Sequence, residues 1–314
     1  MVAFLFKRLL ATIPTILLVT ITVFMILRLT PGGPAVAMLG DQASPEAVAK
    51  LNHQLGLDKP LYIQYLRWLG SALHGDLGRS AFGNQPVTEL IGQRIMPTLE
   101  LSVLALIVSL LIGISAGVIA AVKRNTAVDA VASILAILGV STPSFWLAIL
   151  LVLVFSLKLS WLPALGYVSP FSNLGTNLKD MLLPSVTLGV ILAAVITRFT
   201  RASMLDSLYQ DYVRTARSKG LEERTVVLRH ALANAMIPIV TVVGLELGGL
   251  LSGAVIIETI FSLPGNGQLL VTAIFNRDFP VVQGLVVVIA TVFILVNVVV
   301  DVVYALIDPR IQLG

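Results

Sequence analysis

Carboxylates, imidazoles, hydroxyls and phosphate-cradling loops are the groups with which a chain does chemistry, and this sequence places few of them where they could act. Glu246 is the acidic residue set deep in an apolar run, TVVGLELGGLLSG. A charge at the centre of a bilayer costs roughly 2.5–3.5 kcal/mol on insertion scales. Glu246 either lines a polar translocation path or hydrogen-bonds a neighbouring helix. Ser141, Thr142 and Pro143 form a second interruption, in VSTPS. There proline would kink or break a helix, and the hydroxyls would cover the freed carbonyls. Two outcomes stay open for these four residues: a bundle of broken helices around a central path, or a bent core. His53, His74 and His230 lack ligand-like spacing and read as solvated or capping residues, so no metal site is expected. No Ser/His/Asp set falls on one face. No GxxxxGK[ST] phosphate cradle is present, so the chain is expected to be no enzyme and to hydrolyse no ATP itself. With no cysteine, disulfides, iron–sulfur clusters and thiol catalysis are excluded.

The longest charged interruption of the second half is residues 201–238, RASMLDSLYQDYVRTARSKGLEERTVVLRHALANAMIP. Leu205, Leu208, Tyr209, Tyr212, Val213 and Ala216 recur at helical spacing and predict one apolar stripe on a helix over roughly 202–219. Arg217 and Lys219 fall in its last turn, where cations favour the helix dipole, and Gly220 is a left-handed stop. Glu222 and Glu223 then open a second short helix. A stripe projecting beyond the membrane is expected to be covered by another protein.

The elements that must hold these residues are membrane spans. Of 314 residues, 57% are hydrophobic and only 12% charged, about half the charged share of an ordinary soluble domain. Mean hydropathy is +0.94. The net charge of +4 is spread along loops rather than gathered with aromatics, so it reads as a topology signal, and no nucleic-acid partner is expected. Lys7 and Arg8 precede an apolar run at 9–27. That run is too long for a cleaved signal, so it is read as a retained first span with its N-terminus in the cytoplasm. Five further runs, at 99–122, 130–157, 181–199, 231–257 and 281–307, are each long enough to cross a ~30 Å hydrocarbon layer. The prediction is an all-α integral membrane protein of six transmembrane helices. Both termini, Lys123-Arg124 and the 201–230 loop then lie inside. Residues 31–97, 158–180 and 258–280 lie outside. In 56–69, Tyr62, Tyr65, Leu66 and Leu69 share a face, predicting a helix lying on the membrane surface. Gly113/Gly117, Gly244/Gly248 and Gly249/Gly253 are GxxxG spacings that favour close helix approach. Pro184 and Pro238 are expected to kink or break their spans.

DYVRTARSKGL followed by HALANAMIP resembles the cytoplasmic coupling loop of ATP-binding-cassette importer permeases of the peptide/nickel group. The general form of that loop is Glu-Ala-Ala, three residues, Gly. Here Ala216 and Gly220 match, while Arg214 and Thr215 stand in the Glu and first Ala positions, which leaves the usual glutamate's role unassigned. ILRLTPGGP (26–34), GLDKPLYIQYLRWL (56–69), HGDLGRS (74–80), ETIFSLPGNGQLLVTAIFNRDFPVVQG (258–284) and DPRIQLG (308–314) are similar to segments of the same group. The resemblance implies a type I importer permease fold: residues 1–96 as a first helix plus a long external segment, and residues 97–310 as a permease core carrying the coupling loop 201–230. It implies a multi-pass protein of the bacterial inner membrane. Asp211, Tyr212, Arg214, Thr215, Ala216, Lys219, Gly220 and Leu221 would couple it to an ATPase. The implied partners are a second homologous permease chain, two ATP-binding-cassette ATPase subunits, an external solute-binding protein and the lipid bilayer. No cofactor is implied for this chain; ATP and Mg would sit on the partners. Di- or oligopeptides, with glutathione among them, are the favoured cargo. Nickel or a nickel chelate is the alternative within the same architecture, and an ion-coupled secondary carrier the alternative outside it.

Overall fold

In the computed structural model, residues 2–29, 33–40, 43–54 and 56–307 are described. Residues 30–32 of the ILRLTPGGP stretch and the DPRIQLG ending at 308–314 lie outside them. The helices are α1 Val2–Leu29, α2 Gly33–Leu39, α3 Pro45–Gln54, α4 Leu61–Leu73, α5 Val87–Val122, α6 Ala127–Ser141 and α7 Ser144–Leu151. They continue with α8 Leu174–Leu208, α9 Asp211–Ser218, α10 Glu223–Thr225, α11 Ala233–Phe261, α12 Asn266–Phe275 and α13 Phe279–Ile307. Wider π-helical turns extend α7 over Val152–Lys158 and join α10 to α11 over Val226–Leu232. Among the described residues, five helices are long and apolar enough to cross a membrane, starting at Leu10, Val87, Leu174, Glu223 and Phe279. A sixth run, Ala127–Ser141 with Ser144–Lys158, is bent by 106° at its break. The predicted all-helical class and six apolar runs are thus found, and Pro143 does break its run. Thr142 Oγ1 donates to Leu138 O at 2.7 Å, covering a carbonyl freed at the end of α6.

The ends and the other prolines differ from expectation. Pro184 and Pro238 lie inside unbroken helices, because packing elsewhere along α8 and α11 holds the helix across a missing N–H. α5 begins at Val87, twelve residues before the run expected from hydropathy, since Glu89 and the polar residues after it are helix formers that hydropathy alone passes over. α8 likewise runs from Leu174 through to Leu208.

Two compact units divide the chain: 97–263 with 296–307, and 2–96 with 264–295. In the first, α8 is the central post. Two thirds of its apolar stretch is buried, against at most 39% in the other four long helices. A Cβ at Gly113 of α5 would stand 2.7 Å from Ile196 Cβ and 3.0 Å from Ala193 O. At Gly117 it would meet Thr200 Cβ at 2.5 Å and Thr197 O at 2.8 Å. The first GxxxG pair therefore sets backbone against backbone between α5 and α8. In α11, Gly244 faces Val300 and Gly253 faces Leu188, but Gly249 meets only the Glu246 carboxylate, at 3.9 Å, so that pair packs on one residue alone. Leu101, Met181, Leu188, Ile196, Leu250, Ile257 and Phe261 fill the core between these helices.

In the second unit, α4 docks on α1. Tyr65 stacks edge-on against Phe24 at 5.5 Å, and its hydroxyl is 2.9 Å from Thr20 Oγ1. Tyr62 and Leu66 stay exposed. The single surface face expected for Tyr62, Tyr65, Leu66 and Leu69 is therefore split, because part of the stripe is covered within the chain. α12 forms after a turn at 262–265, where Pro264 and Gly265 suit a chain reversal. Asp278 accepts from Ser80 Oγ and from Ala81 N, tying the 78–84 turns to the start of α13.

The close approach of α5 to α8 makes a test. Gly117→Val should destabilise the folded chain by about 1–3 kcal/mol through overpacking against Thr200. Gly92→Ala, where the added carbon meets nothing within 4 Å, should be close to neutral. The thermal unfolding midpoint of the detergent-solubilised chain checks both.

Candidate functional site

At one end of the first unit the chain turns back on itself. α8 ends at Leu208, with Tyr209 as its cap, and α9 starts two residues on. The predicted helix over 202–219 is thus two helices. The break falls at Tyr209 and Gln210, where Gln210 takes an extended conformation and its carbonyl caps the next helix. α9 closes in a Schellman motif: Leu221 N donates to Ala216 O at 3.4 Å and Gly220 N to Arg217 O at 2.9 Å. Gly220 has φ +74 with nothing within 4 Å of the site a Cβ would take, so it is held there by backbone shape and not by crowding. Across the elbow, Arg217 grips Glu223 with two bonds, Nη2 to Oε1 at 2.7 Å and Nε to Oε2 at 3.1 Å.

Part of the apolar stripe is covered by the chain itself. Val213 and Ala216 are buried by the chain's own Met204, Val226, Val227, Ala231, Ala235 and Ile239. This corrects part of the expectation that another protein must cover the stripe: Val213 and Ala216 are covered from within, while Tyr209 and Tyr212 of the same stripe stay exposed. Helical spacing reveals a face to be covered but not by what, and the π-helical turn 226–232 returns close enough to cover it. What projects outward is the polar face of α9 together with Tyr212 at the edge of the stripe. Asp211, Tyr212, Arg214, Thr215, Lys219, Gly220 and Leu221 are exposed, and Ala216 is not. Thr215 Oγ1 donates to Asp211 O, and Arg214 lies 3.5 Å from Asp211, an exposed pair worth little by itself. A groove of about 510 Å³ beside α9 is lined by Arg124, Leu205, Leu208, Tyr209, Arg214 and Arg217.

Two contacts tie this end together. Arg124 Nη1 donates to Tyr209 Oη at 2.5 Å and the guanidinium lies over the ring at 5.5 Å. Arg201 grips Asp129 with Nε at 2.5 Å and Nη2 at 2.8 Å. Asp129 also accepts from Asn125 N. The 123–126 turn and the 209–222 hairpin therefore share one end of the unit. The other end holds Tyr167 Oη donating to Glu100 Oε2 at 2.9 Å and Thr98 Oγ1 donating to Glu258 Oε1 at 2.6 Å. Burial, with the Glu100 carboxylate beside it, pushes the Tyr167 hydroxyl up to about 12.

The residues singled out as a path lie on α11 and at the α6–α7 bend. Glu246 is half-buried in α11 and makes no hydrogen bond to Ser141 or Thr142. Ser141 and Pro143 are exposed at the α6–α7 bend. Sequence reasoning missed Glu258, which is fully buried in α11. It stands one residue past the apolar run that hydropathy ends at 257, which assigns it to the following loop. Its signal was the apolar stretch continuing on both sides, AVIIETIF. Among the histidines, His74 Nδ1 lies 2.7 Å from Gly70 O at the end of α4, and His53 Nδ1 lies 2.9 Å from Asp58.

Residues 113–313 match the family described as "Binding-protein-dependent transport system inner membrane component", and residues 1–102 match its N-terminal companion. A "Dipeptide transport system permease protein DppB" of Alkalihalophilus pseudofirmus is 42% identical over 332 residues, covering 99% of this chain and all of that protein. A "Glutathione transport system permease protein GsiC" of Escherichia coli is 44% identical over 312 residues, covering 99% of each. The solved structure described as "Crystal structure of an amino acid ABC transporter with histidines" superposes with a TM-score of 0.50 at 17% identity, over 71% of this chain and 95% of that one. At that identity it shows the fold alone.

Removing Arg201 leaves a nearly buried carboxylate without its counter-ion, whereas removing Asp129 frees a cation that is 31% exposed and can turn toward water. Arg201→Ala should therefore cost about 3 kcal/mol or more and Asp129→Asn less. Chemical denaturation of the two variants in detergent checks the order.

Proposed function

Because this chain belongs to the binding-protein-dependent transport system inner membrane component family, the ATP-binding-cassette importer permeases of the peptide/nickel group, we propose that it forms half of a peptide-conducting path and couples to ATPase subunits through α9. It is an inner-membrane permease subunit. The single observation carrying the coupling role is the Gly220 hairpin. A short helix has its apolar side seated on the chain's own helix ends, and its polar side, with Tyr212, Arg214 and Lys219, turned outward. That outer face, with the arginine-lined groove beside it, is the surface we assign to an ATPase subunit carrying ATP and Mg.

Coupling is mechanical in this reading. α8 runs unbroken into the hairpin, and α10, the π-helical turn and α11 leave it without an intervening loop. A force on α9 is therefore delivered to both helices rather than lost in slack chain. The shared end of Lys123, Arg124 and the hairpin supports its placement in the cytoplasm, with the N-terminus inside. A second homologous permease chain would complete the path and an external solute-binding protein would deliver the cargo. The relatives named for dipeptide and glutathione transport support a peptide-class cargo over nickel. Glu246 and the Ser141–Pro143 bend are the path residues we assign.

Gly220 supplies the test. A β-branched residue at φ +74 costs roughly 1–2 kcal/mol in local strain, while asparagine tolerates that conformation. Gly220→Val should lower ATPase co-purification and peptide uptake several-fold, and Gly220→Asn should retain both. Unchanged uptake in Gly220→Val would remove the coupling role. Uptake by the reconstituted chain without any ATPase would instead identify a secondary carrier.

A further inference from the structure

We propose that a cavity in the second unit binds a carboxylate-bearing solute of peptide size through Arg28 and Gln283. The inference rests on the peptide-importer reading for its choice of ligand. The cavity measures about 480 Å³, within the roughly 300–1,000 Å³ range of small-molecule sites. Its walls include Arg28, Trp68, Arg79, Ser80, Phe279 and Gln283.

Its polar character is one-sided. Two guanidiniums line it and no acidic side chain does. The nearby Asp278 carboxylate is already committed to Ser80 Oγ and Ala81 N, and Arg79 spends one Nη on Asn84 O. Arg28 has no ion-pair partner among the described residues. Its guanidinium lies over the Phe24 ring at 4.9 Å, and its Nε is buried without a hydrogen bond. Gln283 is 5% exposed, and its Nε2 is likewise buried without a partner. A protein interior rarely leaves donors unmet, because each costs free energy and an ionised one costs most. The missing complement is an acceptor of negative charge with two oxygens, which a guanidinium fork takes in bidentate fashion. Trp68 and Phe279 supply apolar wall for the organic part of such a molecule. A carboxylate-terminated peptide offers both the charged acceptor and an organic part for that wall. In the orientation proposed above, the cavity opens on the external side.

Trp68 can report the binding. The chain has three tryptophans, so the Trp146→Phe, Trp161→Phe background isolates Trp68 in the full chain. Alanyl-alanine, alanyl-alanine amide and inorganic phosphate are titrated into nanodiscs of phosphatidylcholine, and the free emission is compared with that in phosphatidylglycerol discs. The expected result is a saturable change in Trp68 emission with alanyl-alanine, at least tenfold weaker with the amide and with phosphate. Arg28→Gln should weaken it tenfold or more, Arg28→Lys less, with unfolding midpoints confirming that both variants fold. Equal response to the amide or phosphate overturns the assignment. So does indifference to Arg28→Gln, or a cavity already saturated by phosphatidylglycerol. The titration uses neither ATPase nor uptake. A chain that couples normally yet fails to bind therefore refutes only the cavity, and loss of coupling leaves the binding result standing.

Discussion

The proposed coupling depends on one contact, the seating of Val213 and Ala216 on the buried side of α9. Each is a small contribution, since burying a side chain of valine size is worth about 1.5–3 kcal/mol. Their consequence is geometric. They press a two-turn helix onto the last turns of α8 and the π-helical start of α11, and a helix of that length would not hold in water alone. With the Schellman closure at Gly220 and the Arg217–Glu223 bridge, the hairpin has few internal joints left to yield. An exposed salt bridge adds little free energy, so the apolar contact and the backbone turn dominate and the ion pair fixes direction.

That contact matters because of what α9 is attached to. α8 is the enclosed post of its unit, gripped along Gly113 and Gly117 at distances that leave no room for a side chain. Arg201 and Asp129 clamp the C-terminal part of α8 to the start of α6. Displacement at α9 therefore reaches α5, α6 and α11 together. Close-packed interiors pass on displacement instead of absorbing it. The bend at Pro143 interrupts a membrane-length run, and there Thr142 protects the exposed carbonyl.

Much of this was legible in the sequence. Apolar runs marked the helices, Gly220 marked the elbow, Pro143 marked the break, and Gly113/Gly117 marked a close approach. What was not legible shares a cause: periodicity names a face without naming its cover. Val213 and Ala216 read as a docking stripe, yet Met204 before them and Val226 to Ile239 after them cover them. Tyr65 and Leu66 read as one surface face, yet α1 claims Tyr65. Proline rules treat a helix in isolation, so they allow a break at Pro184 and Pro238, where α8 and α11 instead run on as continuous helices. Glu258 was hidden by a hydropathy boundary one residue too early, and its partner Thr98 lies 160 residues away, beyond the reach of any local pattern.

The absence of cysteine in the natural sequence makes the central claim directly measurable. Single cysteines at Tyr212 and Arg214 on the outward face of α9, and one at Leu174 at the start of α8, can each be cross-linked in cells that also produce the ATPase subunits. The account predicts ATP-sensitive cross-links from positions 212 and 214 and none from 174. Labelling of 212 and 214 by a membrane-impermeant thiol reagent applied outside intact cells, with no ATPase cross-link, would contradict it.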